Sequence, residues 1–173
     1  MIVKDNFELM ARYNRWMNEK LYQVCAAIPD EERKKNLGAF FKSVHGTLNH
    51  LLYGDKAWMD RFIGRPFAVT VIGEDLHQDF EKLKADRRAT DQQILDWSHT
   101  LSPQWLDAPF EYTSNVDGKT RVLPAWVLVM HMFNHQTHHR GQVTTLIKQL
   151  GYDPGITDLP WLSEFESEEQ PEN

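Results

Sequence analysis

Hydrophobic residues recur every three or four positions along four long stretches of the chain, a spacing that predicts four helices. Asp5 can cap the first, which runs to about Ala27 with Phe7, Met10, Tyr13, Met17 and Leu21 on one face before Pro29 closes it. The second spans about Phe41 to Phe62 through Val44, Leu48, Leu51 and Trp58, and Gly64 with Pro66 ends it. The third, about Asp75 to Leu101, has the weakest pattern, because Lys82 to Gln93 is largely polar between Phe80 and Ile94. The fourth starts near Pro124, which suits a first helical turn, and runs to Leu150, where Gly151 stops it.

Between the third and fourth helices, Asn115-Val116-Asp117-Gly118-Lys119 supplies turn chemistry between alternating Tyr112, Thr113 and Thr120, Val122, so a short hairpin is predicted over Phe110 to Val122. Gly64 to Gly73 connects the second helix to the third. Helices of about 22 to 28 residues would each be about 33 to 42 Å long, a matched set. The expected fold is all-α: one antiparallel four-helix bundle with long connections over residues 1–161, followed by an acidic tail over 162–173.

The chain has 173 residues, 41% hydrophobic and 25% charged, which is ordinary globular usage for one domain. The net charge is −6, but Glu164, Glu166, Glu168, Glu169 and Glu172 fall in the last ten residues, leaving residues 1–163 at −1. Such a near-neutral body, without a Lys/Arg block, gives little grip on phosphates and argues against a nucleic-acid partner. The longest apolar run, Ala125 to Met130, is far too short to span a bilayer. Cys25 has no intrachain partner and Met1 to Asp5 lacks the apolar core of a signal peptide, so the expected compartment is the cytoplasm.

The chemistry lies in the histidines, eight of them against one cysteine. His135 and His139 are one helical turn apart, metal-ligand spacing, on the side of the fourth helix that carries Leu128, Met132, Val143 and Leu146. A zincin motif is absent, since Gln136 follows His135 and Met132 follows His131. A carboxylate-bridged di-iron site would need two inward Glu-x-x-His motifs, and only Glu74 to His77 matches. A third ligand must come from the second helix, as His45 or His50. His45 lies about 85° and His50 about 135° from the middle of that helix's apolar arc, so spacing leaves the choice open and leans to His45.

Tyr13-Asn14-Arg15-Trp16-Met17-Asn18, then Gly46-Thr47-Leu48-Asn49-His50-Leu51-Leu52 with Asp55 and Trp58, then His135-Gln136-Thr137-His138-His139-Arg140-Gly141-Gln142 together resemble the DinB family of metalloenzymes. The resemblance implies a four-helix bundle in which one histidine of the second helix and two of the fourth hold a divalent metal near one end. On this chain those positions are His50, His135 and His139. The expected ion is Zn or Ni, with Fe or Mn as alternatives. His131 and His138 stand as pocket-rim or structural histidines, while His77 and His99 look incidental. Asn14, Asn18, Asn49, Asp55 and Gln142 are candidates to orient the imidazoles, the plainer reading of Asp55 being an ion pair with Arg15 or Arg61. Trp16 and Trp58 read as core, and Gly141 as a point of close helix approach.

Three neutral imidazoles leave a divalent ion its full charge and an open position, which suits activation of a water or a thiol. The expected activity is thiol-dependent S-transfer to a small electrophile, with a low-molecular-weight thiol as partner and a homodimer as assembly. The alternatives are a metal-dependent hydrolase of a small molecule and a non-enzymatic, metal-stabilised stress-response protein.

Overall fold

The computed structural model describes residues 3–66 and 73–165. Residues 67–72 of the Gly64–Gly73 connection, together with Glu166, Glu168, Glu169 and Glu172 of the acidic stretch, lie outside the described residues. The order of elements is α1 (Val3–Ala26), α2 (Asp30–Lys34), α3 (Val44–Phe62), α4 (Phe80–Ser98), α5 (Pro103–Asp107), β1 (Pro109–Thr113), β2 (Thr120–Pro124) and α6 (Ala125–Gln149). The fold is therefore mostly helical, with one small antiparallel sheet in which Phe110 pairs with Leu123 and Tyr112 with Arg121. No described helix is long and apolar enough to cross a membrane.

Capping chemistry sets the starts of α3 and α4 later than periodicity predicts, whereas α1 begins at Val3, so Asp5 lies in its first turn rather than capping it. Lys42 takes φ 66°, and Ser43 then caps α3 by accepting from Gly46 N–H at 3.0 Å, so the helix begins at Val44 rather than Phe41. Asp79 caps α4 through Lys82 N–H at 2.8 Å, moving that start from Asp75 to Phe80. Two short helices, α2 and α5, went unanticipated. Five residues are too few to show a hydrophobic period. Gly151, at φ 87°, closes α6 as expected.

The helix α1 packs against α4 and α6, and α3 packs against the same two. The buried side chains form two apolar clusters, one around Met17, Leu21, Leu48, Leu52, Leu83, Val143 and Ile147, the other around Phe7, Ala11, Met59, Phe62, Ile94, Leu128 and Met132. On every long helix buried polar residues separate the two: Asn14 and Asn18, Asp55, Arg87 and Asp91, Gln136 and Arg140. The order in which each helix passes the clusters makes α1 and α6 run one way and α3 and α4 the other. The packed pairs α1/α4 and α3/α6 are thus antiparallel, whereas α1/α6 and α3/α4 run in parallel. The expected antiparallel arrangement holds for only half of the packed pairs. Long connections follow, because no two consecutive long helices are antiparallel neighbours that a tight turn could join.

The packing extends beyond Trp161: Leu162 is buried in the first cluster and Glu164 pairs with Arg12 at 2.9 Å. The start of the stretch read as an acidic tail is thereby tied to the body.

Candidate metal centre

Two glycines on α3 shape the site. Gly46 admits the Phe41 backbone, whose carbonyl oxygen would collide with a Cβ there. Gly54 leaves space for an imidazole from α6: a Cβ at that position would stand 2.6 Å from His135 Cε1. With the helices at this separation, three histidines meet. His50 Nε2 lies 3.1 Å from His135 Nε2 and 3.2 Å from His139 Nε2. Their ligand atoms form the one group of three or more His, Cys, Asp or Glu among the described residues able to hold an ion.

His45, the residue towards which spacing leaned, is elsewhere. It is buried, and its Nε2–H donates to the His77 carbonyl at 2.9 Å. His77 is not incidental either. Its N–H donates to Asn49 Oδ1 at 2.9 Å and its imidazole meets Asp86 at 2.8 Å, pinning the segment before α4 onto α3. His99 lies far along the chain from the triad, 3.4 Å from Glu8. His131 approaches only His135, at 6.1 Å between ring centres, and packs edge-on against Trp58.

Among the five candidate orienters, only Gln142 reaches a triad member. Its Oε1 accepts from His139 Nδ1 at 2.8 Å, which puts the proton on Nδ1 and leaves the Nε2 lone pair aimed at His50. Its Nε2 donates to His138 Nε2 at 3.2 Å, so His138 bears on the site through Gln142. Phe41 stacks on His50, 3.7 Å between ring centres at 16°, and stands edge-on to His139 at 5.6 Å.

The imidazoles are held neutral. Burial, reinforced by His139, lowers the His50 pKa to about 4, and burial with the neighbouring imidazoles lowers His135 to about 3. Burial also lowers His139, against the opposing Gln142 bond. Three neutral imidazoles fit a divalent cation. Two nitrogens, each about 2.0–2.1 Å from one tetrahedral ion, stand about 3.3 Å apart, close to the spacing found. Hydrogen bonding alone does not satisfy the arrangement. His139 Nε2 has no proton and His50 Nε2 can carry only one, which His135 and His139 would have to share.

Asp55, Asn14 and Asn18 belong to a second polar centre that the sequence did not reveal. Arg87 lies 2.7 Å from Asp55 and 2.8 Å from Asp91, all three almost wholly buried. Asn18 donates to Asp91 at 2.9 Å, and Arg140 reaches Asn14 and Gln136. Asp55 thus pairs with neither Arg15, which bonds Gln92, nor Arg61, which reaches Asn115. Burial raises both carboxyl pKa values against the pull of Arg87. With Arg140 counted, two buried carboxylates face two guanidiniums. Nothing lies within 4 Å of a Cβ built on Gly141, so that glycine marks no close helix approach.

Comparison with known proteins bears on the family and the fold. The DinB family profile matches residues 1–172. Protein DinB of Bacillus subtilis (strain 168) is 26% identical over 155 residues, covering 84% of this chain and 87% of that protein. The uncharacterized protein YrdA of the same organism is 40% identical over 57 residues, 32% of this chain and 33% of that protein. The crystal structure of a DinB-like protein from Bacillus cereus ATCC 10987 shares the fold at a TM-score of 0.61 and 18% identity, covering 81% of this chain and 90% of that one.

Proposed function

The chain belongs to the DinB family, and from that premise we propose that it is a divalent-metal-dependent enzyme acting on a small molecule, with His50, His135 and His139 holding the ion. The observation that carries the reading is the convergence of three neutral imidazoles, the Nε2 atoms of His135 and His139 lying 3.1 and 3.2 Å from that of His50. Among the described residues, no carboxylate joins the group. When bound, a divalent ion with three neutral ligands would supply Lewis-acid activation of a water or a thiol.

The chain's own residues hold and shape that position. Gln142 fixes the tautomer of His139, Gly54 makes room for His135, and Phe41 covers one face of His50. We read α1, α3, α4 and α6 as a four-helix bundle with the site at the α3/α6 seam. Zn and Ni are the preferred ions for an all-imidazole set, with Fe and Mn behind them. S-transfer from a low-molecular-weight thiol to an electrophile is the preferred reaction, and hydrolysis is the alternative.

Metal analysis of the purified protein tests the reading. About one divalent ion per chain is expected, lost in His135→Ala. A wild-type protein without stoichiometric metal, or a variant that retains it, would overturn the proposal. A panel of small thiols with a model electrophile then separates the reactions. Chelator-sensitive, thiol-dependent turnover supports transfer, whereas hydrolysis of activated esters without thiol supports a hydrolase. A large loss of melting temperature on chelation, with no turnover in either assay, supports the non-enzymatic stress-response role.

A further inference from the structure

Two separate lines of contact run from the triad to one arginine. From His50 the first passes to Tyr53, stacked at 6.4 Å between ring centres, and then to Asn115, whose Nδ2 donates to the Tyr53 hydroxyl at 3.1 Å. Asn115 Oδ1 in turn accepts from Arg61 Nη2 at 3.0 Å. From His135 the second passes to His131, at 6.1 Å between ring centres, and on to Trp58 at 5.2 Å. It ends on the Arg61 guanidinium, 4.9 Å from the centre of the Trp58 ring. α3, α6 and the hairpin tip thus enclose one patch, with the triad at one end and Arg61 at the other. The guanidinium leans back along α3, where Nη1 donates to the Ala57 carbonyl at 3.4 Å. Ala57 is three residues beyond Gly54, which faces His135, so guanidinium and triad are separated by roughly one to two turns of α3.

Arg61 is half-buried, and its hydrogen bonds go to the Ala57 and Thr113 carbonyls and the Asn115 side chain, all uncharged. Among the described residues no carboxylate pairs with it. Burial lowers its pKa, and only the phenols of Tyr53 and Tyr112 oppose the shift. Its three hydrogen bonds leave at least two of the five guanidinium N–H groups for a ligand.

We propose that Arg61 is the specificity-determining residue of the three-histidine site, and that the substrate is a small carboxylate whose acid group is held by Arg61 while its reacting end lies at the triad. The proposal rests on the metal reading of the triad. A divalent ion held by three neutral imidazoles keeps its charge and Arg61 adds to it, so the loaded site carries a surplus of positive charge that favours an anion. The guanidinium then selects a carboxylate, to which it can make charge-assisted hydrogen bonds. A half-buried cation without a counter-charge gains more from such a ligand than a solvated one would. The plainer role of Arg61, tying the hairpin tip to α3 through Thr113 and Asn115, predicts no preference between a charged and an uncharged ligand.

The test titrates the metal-loaded protein calorimetrically with 4-mercaptobenzoate and with its uncharged isostere 4-mercaptobenzamide, with metal content measured in parallel. Both probes carry the same thiol for the triad end, and only the first carries a carboxylate at the far side of a rigid ring. Wild-type protein should bind 4-mercaptobenzoate about tenfold or more tighter than the amide. Arg61→Gln, which keeps a hydrogen-bond donor for the hairpin, should bring the two probes to within about threefold by weakening the acid alone, at unchanged metal content. Equal or absent binding of the two probes by metal-loaded wild type, a preference that survives Arg61→Gln, or a variant that weakens both probes alike overturns the proposal. Wild-type protein that holds no metal would instead fell the metal reading, and with it the role of Arg61 at that site.

Discussion

Gly54 on α3 lies where any added Cβ would press into the His135 ring, 2.6 Å from Cε1. The contact is to an imidazole packed between helices, so relief requires His135 to move. Gly54→Ala should therefore weaken divalent metal binding by at least about tenfold, in the range found when groups supporting a ligand are disturbed. Folding should survive, since alanine favours a helix over glycine. Gly141→Ala is the matched control, an exposed helical glycine with open space about it. It should leave metal affinity unchanged and raise stability by about 0.5–1 kcal/mol. Calorimetric metal titration and urea unfolding of both variants decide the matter, and equal metal affinities would refute the steric argument.

Gln142 fixes which nitrogen of His139 carries the proton. Removing it in Gln142→Ala should weaken metal binding about 10–100-fold without altering helical content. Gln142→Glu keeps an acceptor for Nδ1–H and should restore most of the affinity. If Gln142→Glu binds metal as poorly as Gln142→Ala, the orienting role is wrong.

The Asp55–Arg87–Asp91 centre makes a prediction about stability rather than chemistry. Arg87→Ala would leave two buried carboxylates without their shared partner and should cost about 3–5 kcal/mol. Combining it with Asp55→Asn and Asp91→Asn should recover part of that loss, because uncompensated charge rather than lost volume dominates. Urea unfolding of the single and triple variants measures this, and a triple variant no more stable than Arg87→Ala would place the cost in packing.

The same centre explains why the third helix was the hardest to read from sequence. Leu83, Arg87, Asp91 and Ile94 follow one inward face, but its middle positions are charged, so a hydrophobic period breaks where the helix is most buried. The other long helices bury polar residues too, Asn14, Asp55 and Arg140 among them, yet were legible to within a few residues. The hairpin was legible from its turn residues, and the pairing of His135 with His139 followed from a one-turn spacing. The choice of His50 over His45 was not readable from periodicity, since both lie off the apolar arc of a helix with two packed faces. It depends on where α6 lies, and Gly54 sets that approach. Charge partners across helices were equally hidden: Asp55 finds Arg87, 32 positions along the chain, through tertiary packing alone.

Cys25 provides a check on the packing of the first cluster. It is fully buried, and burial, only partly offset by Arg33, raises its thiol pKa to about 12. The native thiol should thus stay protonated and unreactive towards a disulfide reagent at pH 8, becoming labelled only as the chain unfolds. A raised folded-state pKa also gives the sign of the alkaline response. Above about pH 8.5 the unfolded thiol ionises while the native one does not, so the unfolded state binds fewer protons and stability falls as pH rises. Cys25→Ser should shed this contribution between about pH 8.5 and the folded pKa, which is measurable as a flatter stability profile than wild type in urea unfolding. Rapid native-state labelling of Cys25 at pH 8, under conditions where helical content is unchanged, would show that the α1 end of the core opens locally and would contradict the prediction.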